Sequence, residues 1–288
     1  MKRVVYSDNQ LPMYPYHSHP LQGEDGLLYH YTTIGAAKLI LRDMKLKLSD
    51  PTHFNDPSDC TLAELSLEDY RGYHKVENSW NSIRIACFTT NWKEDNVWHY
   101  GYNHPRMWAQ YANNNTGVCI VIDKSALKKE NEHIFKSHRH SIRKVRYSNA
   151  PERYSNIYKL NPSNFYDKAE LYSDELFFCK NLDWKDERET RLIGFEFPDY
   201  LSIKDSIAFI VLGAYISIDE YKQLVSIIND VNSVSYKKLG EKSFVHAYYS
   251  AGSVEVSDIP SSGKLPELSF LADDVNLEKL GQGVSEGL

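Results

Sequence analysis

One uninterrupted apolar run limits the folds open to this chain. Residues 117–123 read Gly-Val-Cys-Ile-Val-Ile-Asp, and such a run between turn residues is typical of a strand buried on both faces. Other segments predict further strands and several helices. The predicted strands are at 26–32, 46–49, 83–89, 142–147, 187–197, 207–212 and 244–249, and the predicted helices are at 33–41, 61–80, 103–112, 164–178 and 218–231. Because the two kinds of element do not alternate strictly, the sequence predicts an α+β fold with a mixed, mostly antiparallel sheet core flanked by helices.

Composition divides the 288 residues into three parts. Residues 1–26 are polar, rich in Pro, Tyr and His and without periodicity, which predicts an extended N-terminal arm. Residues 27–250 have enough apolar material for a single α+β domain. Residues 251–288 contain seven acids and two lysines among Gly, Ser and Pro. We therefore expect a mostly disordered tail, or a segment that folds on a partner such as an antitoxin or chaperone.

Charge, cysteines and hydropathy predict a cytoplasmic protein that does not enter a membrane. The net charge of -6 gives no overall sign of nucleic-acid binding. The four cysteines lie far apart without a C-x-x-C pair, a pattern that favours free thiols in a reducing compartment over a zinc site. The first twenty residues lack a signal-peptide pattern, and no apolar run has the length that a membrane span needs.

Ionisable residues occur repeatedly among core-forming ones, which predicts a pocket. His30 and Thr32 share one face of the first predicted strand, while Tyr31 points to the other face. An imidazole on a strand can donate to a ribose hydroxyl or to a main-chain carbonyl. The alternative is a buried histidine that a main-chain partner satisfies.

Two glutamates and an arginine alternate along a later predicted strand. Glu187, Glu189 and Arg191 would share one face, so the two carboxylates would repel each other while Arg191 kept one of them ionised. Such a pair can divide the work between activating a nucleophile and stabilising a cationic centre. The alternative is a solvated edge strand that carries a ladder of charges.

A predicted helix end and a turn supply further candidates. Met107 and Tyr111 lie at i and i+4 on one helical face, where Tyr111 either stacks on a flat ligand ring or packs in the core. Asn55 and Asp56 precede Pro57 in a sequence typical of a turn. A pocket role for Asn55 or Asp56 is the alternative.

A basic stretch stands out in this acidic chain. Between residues 124 and 153 there are nine Lys or Arg residues and three acids, with the cations densest at Lys136, Arg139, Arg143, Lys144 and Arg146. This excess predicts contact with the phosphates of a nucleotide, RNA or DNA, or else a hydrated strand face. The absence of a P-loop, G-x-G-x-x-G, H-E-x-x-H or nucleophile elbow disfavours kinases, dinucleotide oxidoreductases, zincins and α/β-hydrolases.

These segments together resemble DUF2971, a bacterial family of uncharacterised proteins. The resemblance rests on motifs in the same order, namely Leu28-Tyr-His-Tyr-Thr32, Leu48-Ser49, Phe54-Asn-Asp-Pro57, Cys87-Phe88-Thr89, Met107-Trp-x-x-Tyr-Ala112, Gly117-Val-Cys-Ile120, Trp184-x-x-Glu187-x-Glu189-x-Arg191 and Ile210-Val-Leu-Gly213. It extends over residues 27–230, and excludes the arm and the acidic tail.

A more distant resemblance is to the ADP-ribosyltransferase superfamily, whose NAD pocket uses a His, a Tyr and a Glu. It implies that His30 holds the nicotinamide ribose, that Tyr111 stacks on nicotinamide and that Glu189 stabilises the oxocarbenium ion. Glu187 would prepare the acceptor. Tyr31, Thr32, Asn55 and Arg191 would complete the NAD contacts. Tyr111 departs from the pattern, because it lies on a helix rather than on a strand or loop.

Three hypotheses of function follow from these residues. The first is an NAD-dependent ADP-ribosyltransferase, a toxin or phage-defence effector that modifies a macromolecule such as RNA or DNA. The second is a non-catalytic module that binds a nucleotide or nucleic acid through His30 and Arg191. The third is a nuclease or phosphodiesterase with Mg²⁺ held by Glu187, Glu189 and Asp56.

Overall fold

The computed structural model of the protein describes residues 26–54, 77–94, 97–149, 164–232, 244–250 and 253–258. The predicted arm before residue 26, the turn residues Asn55 and Asp56, and the tail after residue 258 lie outside the described residues. Most of the helix predicted at 61–80 also lies outside them, and residues 77–81 are helical.

Of the elements as far as residue 137, those at 27–32, 34–43, 45–47, 84–89, 105–110 and 118–123 fall close to predicted segments, and those at 92–94, 97–99, 124–130 and 132–137 were not predicted. In chain order, the elements are β1 (Leu27–Thr32), α1 (Ile34–Asp43), β2 (Lys45–Lys47), a 3-10 turn (Pro51–His53), β3 (Arg84–Thr89), β4 (Trp92–Glu94), β5 (Val97–His99), α2 (Pro105–Gln110), β6 (Val118–Asp123), α3 (Lys124–Glu130) and α4 (Glu132–Ser137). Two of these helices begin as their sequences lead one to expect. The Thr33 hydroxyl accepts from the amide of Ala36 and caps α1, and Pro105 occupies the first turn of α2.

The second half of the described chain continues the mixture of strands and helices. Its elements are β7 (His140–Lys144), β8 (Arg146–Ser148), α5 (Phe165–Leu171), α6 (Ser173–Leu176), β9 (Cys179–Asn181), a 3-10 turn (Leu182–Glu187), β10 (Glu189–Gly194), β11 (Tyr200–Ser202), β12 (Ile207–Leu212), α7 (Ile218–Asn232), β13 (Phe244–Ser250) and β14 (Ser253–Asp258).

One eight-stranded sheet organises the molecule, in the order β14-β13-β12-β6-β1-β3-β10-β7. Its neighbouring strands are antiparallel except for β12 and β13, which are parallel. The predicted α+β fold with a mostly antiparallel sheet is therefore confirmed. β6 lies between β1 and β12. Its alternate side chains are buried in two different apolar clusters, so it is buried on both faces, as the sequence predicts.

Alternation along β1 assigns its side chains to opposite faces of the sheet. Leu28 packs in the core formed with α1 and α7, whereas Tyr29 and Tyr31 pack in a separate cluster with Trp108 of α2. Both faces of the sheet are thus covered by helices at β1, and this placement brings α2 against the end of the strand where Tyr31 lies.

The sheet is interrupted between β1 and β3. The register of the two strands joins them at a single pair, Tyr29 opposite Thr89, whereas β1 pairs with β6 along its full length. The Nδ1–H of His30 donates to the Cys87 carbonyl at 3.1 Å. The His30 side chain thus provides the hydrogen bond that this carbonyl would receive from a backbone N–H if β1 and β3 paired over a longer stretch.

Among the differences from the sequence prediction, two predicted strands near the site have other bounds in the structure. The strand predicted at 187–197 begins only at Glu189, because Glu187 ends a 3-10 turn and Arg188 has a left-handed backbone with φ 46°. The strand predicted at 142–147 is two strands, which separate at Val145 and pair with different partners. β14, which follows the predicted end of the domain at residue 250, pairs with β13.

Within the described ranges, no helix has the length and apolar composition needed to cross a bilayer.

Candidate functional site

A cavity of about 270 Å³ opens where β1 and β3 separate. Residues 29–31 of β1 and 85–88 of β3 form two of its walls, and the end of α2 forms a third with Met107 and Tyr111. Lys180, Glu187 and Glu189 line its charged side. The structure therefore brings His30, Tyr111, Glu187 and Glu189 to one cavity, although they come from three distant parts of the sequence.

Four charged side chains form a buried network on this side of the cavity. Lys180 donates from Nζ to Glu187 at 2.7 Å and to Glu189 at 3.2 Å. Arg191 donates to both oxygens of Glu189, from Nε at 2.7 Å and from NH2 at 3.0 Å. Each of the four residues is at most 5% exposed. The two cations match the two carboxylates, and this balance lets the charges persist away from water.

Glu189 is held as an anion in this network. Burial alone would raise the pKa of its carboxyl group, but the positive charges of Arg191 and Lys180 outweigh burial and lower that pKa to about 2. The same balance acts on Lys180. Burial destabilises its ammonium form and would lower its pKa, but the charge of Glu189 opposes burial, and the pKa is raised. The sequence-based expectation that Arg191 keeps a neighbouring carboxylate ionised thus agrees with the pKa of Glu189.

Arg191 stands behind Glu189 rather than at the cavity surface. Its NH1 donates to the Phe177 carbonyl at 2.7 Å, and its guanidinium carbon lies 5.3 Å from the centre of the Phe54 ring. It shares a strand face with Glu189, as predicted. Because it contributes nothing to the cavity lining, it positions the carboxylate and is not placed to contact a ligand in the cavity.

His30 faces the cavity as a neutral imidazole. Burial lowers the pKa of its ring, and the hydrogen bond to the Cys87 carbonyl opposes this effect only in part. Since Nδ1 carries the proton donated to that carbonyl, Nε2 is left as an acceptor. The ring also packs edge-on against Phe88, with centroids 5.9 Å apart. An acceptor nitrogen of this kind suits a hydroxyl donor such as a ribose.

Tyr111 joins the wall of α2 to the charged network. It is the C-cap residue of α2, and its phenolic O–H donates to Oε1 of Glu187 at 2.7 Å. This bond and the one from Lys180 together hold the carboxylate of Glu187, which lies in the 3-10 turn and not in β10. Of the remaining predicted contacts, Tyr31 lines the cavity and donates to the Gly101 carbonyl at 2.7 Å. Thr32 does not line the cavity.

Three residues that contact Glu189 were missed by the sequence reasoning, namely Lys180, Cys87 and Tyr147. Lys180 follows an apolar segment, and nothing in its own sequence pattern distinguishes it from a surface lysine. Cys87 lines the cavity, and burial together with the charge of Glu189 raises the pKa of its thiol, which donates to that carboxylate. The Tyr147 hydroxyl accepts from the Glu189 amide at 2.8 Å. The one available signal was the apolar setting of Cys87.

The basic stretch at 136–146 is largely balanced by acidic side chains. Arg139 contacts Asp167 at 2.6 Å, Arg143 contacts Asp174, and Lys136 contacts Glu132 at 2.6 Å. These pairs lower the positive field that the sequence suggested for Lys136, Arg139, Arg143, Lys144 and Arg146. The structure therefore adds no support to a nucleic-acid surface there.

The described part of the chain contains no cluster of side chains suited to a divalent metal ion. No group of three or more His, Cys, Asp or Glu side chains in those ranges is arranged to hold a metal ion. The carboxylates of Glu187 and Glu189 already share Lys180, and Asp56, the third ligand of the nuclease hypothesis, lies outside the described residues.

Comparison with known proteins identifies one family. Residues 107–192 match the profile of the family described as "Protein of unknown function (DUF2971)". The matched region begins within α2 and includes Lys180 and the other three residues of the charged network. No curated protein and no solved structure matched the chain.

Proposed function

We propose a function from the site itself, because the family whose profile matches residues 107–192 is described only as a protein of unknown function. The proposal is that the cavity between β1 and β3 binds the nicotinamide riboside end of NAD, and that the protein transfers ADP-ribose from NAD to an acceptor. The observation that carries it is the convergence of His30, Tyr111 and Glu189 on one cavity.

The cavity matches the nicotinamide riboside end in size and in chemistry. Pockets that enclose whole drug-sized ligands measure about 300–1,000 Å³, so the 270 Å³ found here suits one half of a dinucleotide. Aromatic and apolar side chains form most of its wall, which suits a flat ring. The acceptor Nε2 of His30 suits a ribose hydroxyl, and the anionic Glu189 suits the positive charge that nicotinamide carries in NAD.

The proposed reaction exchanges one bond at C1′ of the ribose for another. The bond from C1′ to the nicotinamide nitrogen breaks, and its electron pair neutralises the ring nitrogen. The positive charge that develops on the ribose is stabilised by Glu189, which stays ionised at all pH values well above 2. The nucleophilic atom of the acceptor then bonds to C1′ and gives its proton to the carboxylate of Glu187.

The network gives each carboxylate a separate environment for these roles. Glu189 receives three charge-assisted donations, from Arg191 and Lys180, and is fixed in place. Glu187 receives one neutral donation from Tyr111 and one from Lys180. Glu189 is therefore the better electrostatic stabiliser, and Glu187 the better proton acceptor.

The test is transfer of label from NAD carrying a labelled adenylate phosphate to material in a cell extract. The wild-type protein should give labelled product, and Glu189→Gln should reduce the rate at least about a hundredfold, the typical loss when one such stabilising group is removed. Glu132→Gln, which alters an exposed ion pair on α4, is the matched control and should retain full activity.

A folding measurement keeps this test interpretable. Glu189→Gln leaves Arg191 with a neutral partner, so thermal unfolding must be compared with that of the wild type. A second variant, His30→Gln, keeps a donor for the Cys87 carbonyl and leaves the charged network intact. It should weaken binding of NAD. Folded wild-type protein that neither binds nor consumes NAD would contradict the proposal.

The ion pairing of both carboxylates favours a second candidate. A site in which Glu187 and Glu189 are already neutralised by Lys180 and Arg191 also suits a module that binds a nucleotide without reacting with it. In that case the wild type and Glu189→Gln would bind NAD, and neither would release nicotinamide.

A further inference from the structure

A second feature of the site is the strand segment at its open edge. Residues 45–49 alternate between exposed and buried side chains, and Leu46 and Leu48 pack in the core formed with α1. Lys45, Lys47 and Ser49 therefore share the face turned away from this core. Of these three, Lys47 and Ser49 line the cavity and Lys45 does not.

Lys47 marks the opening of the cavity. It is the one lining residue that is exposed to solvent. Among the described residues no acidic group lies within ion-pair distance of its ammonium, whereas Lys180 at the closed end is paired twice. The backbone N–H and C=O of Ser49 both bond to Ile85, so its hydroxyl is the polar group that Ser49 presents to the cavity. An ammonium and a hydroxyl beside each other are donors suited to a phosphate.

An exposed aromatic ring lies next to Lys47. In the antiparallel pair of β2 and β11, Tyr200 is directly opposite Lys47, a position in which the two Cβ atoms are about 5 Å apart on the same face. Tyr200 is 49% exposed. A phenol ring with a free face can stack on a nucleobase.

We propose that β2 and β11 form the subsite for the ADP half of the dinucleotide, with Lys47 and Ser49 contacting the phosphates and Tyr200 stacking on adenine. This inference rests on the proposed function and deepens it. A cavity of 270 Å³ cannot enclose the whole dinucleotide, so the phosphates must leave through the opening, where Lys47 is the exposed cation. The order of contacts from the closed end is thus nicotinamide riboside, phosphate, adenine.

The experiment is titration calorimetry with three ligands of increasing length, namely nicotinamide riboside, nicotinamide mononucleotide and NAD. Lys47→Glu should weaken the mononucleotide and NAD about tenfold, since it replaces an attraction to phosphate by a repulsion. It should leave the riboside, which has no phosphate, within twofold of wild type. Tyr200→Ala should weaken NAD alone, at least about fivefold, because only NAD carries adenine.

Two matched controls separate a subsite from general surface effects. Lys45→Glu makes the same charge change on the same strand face but outside the cavity, and Tyr215→Ala removes a similarly exposed tyrosine from the turn that follows β12. Both should bind all three ligands within twofold of wild type. If Lys45→Glu weakens NAD as much as Lys47→Glu does, the effect is one of net charge and the subsite is overturned.

The two levels of the proposal fail in different ways. If the wild-type protein binds NAD, and if the two variants Lys47→Glu and Tyr200→Ala bind NAD as tightly as the wild type does, the subsite is wrong and the nicotinamide site is unaffected. If the wild type binds none of the three ligands, the proposed function is wrong and the subsite with it.

Discussion

Removal of the Lys180 ammonium is the sharpest perturbation that the structure offers. Lys180 lies between two carboxylates, 2.7 Å from Glu187 and 3.2 Å from Glu189. With Arg191 it brings the net charge of the four-residue network to zero. Lys180→Met keeps the aliphatic bulk but leaves a net charge of -1 at a site whose four members are at most 5% exposed.

The expected cost follows from the burial of that charge. Removing one member of a buried ion pair typically costs 3–5 kcal/mol, because the remaining charge is left uncompensated. Here Glu189 keeps its bonds to Arg191, and Glu187 keeps the hydroxyl of Tyr111. The loss should therefore lie near the lower end, at about 3 kcal/mol. Urea denaturation at pH 7, followed by circular dichroism, measures it directly.

A double variant tests the assigned cause. Lys180→Met with Glu187→Gln restores zero net charge and should regain at least half of the lost stability, whereas two independent effects would add. Lys136→Met, which breaks an exposed pair with Glu132, should leave the unfolding midpoint unchanged. A loss below about 1 kcal/mol for Lys180→Met would contradict this cause, since it would mean that water reaches the carboxylates.

Three further predictions concern packing, hydrogen bonding and pH. In Gly194→Ala the new Cβ would lie 2.1 Å from a ring carbon of Phe197. The melting temperature should therefore fall by an amount that corresponds to about 1–3 kcal/mol. Gly35→Ala, in open space within α1, should raise the melting temperature. Tyr111→Phe should cost about 1–2 kcal/mol in urea, because the buried Glu187 loses a donor, yet bind NAD within twofold of wild type. Burial, with the charge of a nearby arginine, lowers the pKa of His104 to about 4. On acidification, His104 therefore binds a proton at a higher pH in the unfolded chain than in the folded one, and the free energy of unfolding should fall by about 3 kcal/mol from pH 6.5 to pH 4. Urea denaturation of His104→Gln should show a smaller fall. An equal fall would contradict the role of His104.

The strands at the centre of the sheet were predictable because their pattern is local. The apolar run of β6 and the alternation of β1 depend only on which faces are buried, and the structure has both within one residue of the predicted bounds. The convergence of His30 with Glu189 also agrees with the prediction. It followed from the resemblance and not from any periodicity in the chain.

The boundaries near the site were not predictable in the same way. A strand through Glu187 satisfied the alternating pattern, but Arg188 adopts a left-handed backbone that ends the 3-10 turn before β10 begins. The role of Lys180 depends on contacts among β9, the 3-10 turn and β10, which are close in space only after folding. Its burial is decided by two carboxylates, seven and nine residues later, that compensate its charge. The same segment also contains Asp183 and Asp186, which are exposed, and the sequence pattern does not distinguish the buried acids from the exposed ones.

The proposed function places the nicotinamide end of NAD in the gap between β1 and β3. The most direct measurement is a crystal structure of Glu189→Gln protein soaked with NAD, since this variant should bind the dinucleotide without cleaving it. The nicotinamide ring should lie between Tyr111 and the side chain at position 189, with a ribose hydroxyl near Nε2 of His30. A structure at saturating NAD with the ring outside this cavity would contradict this placement.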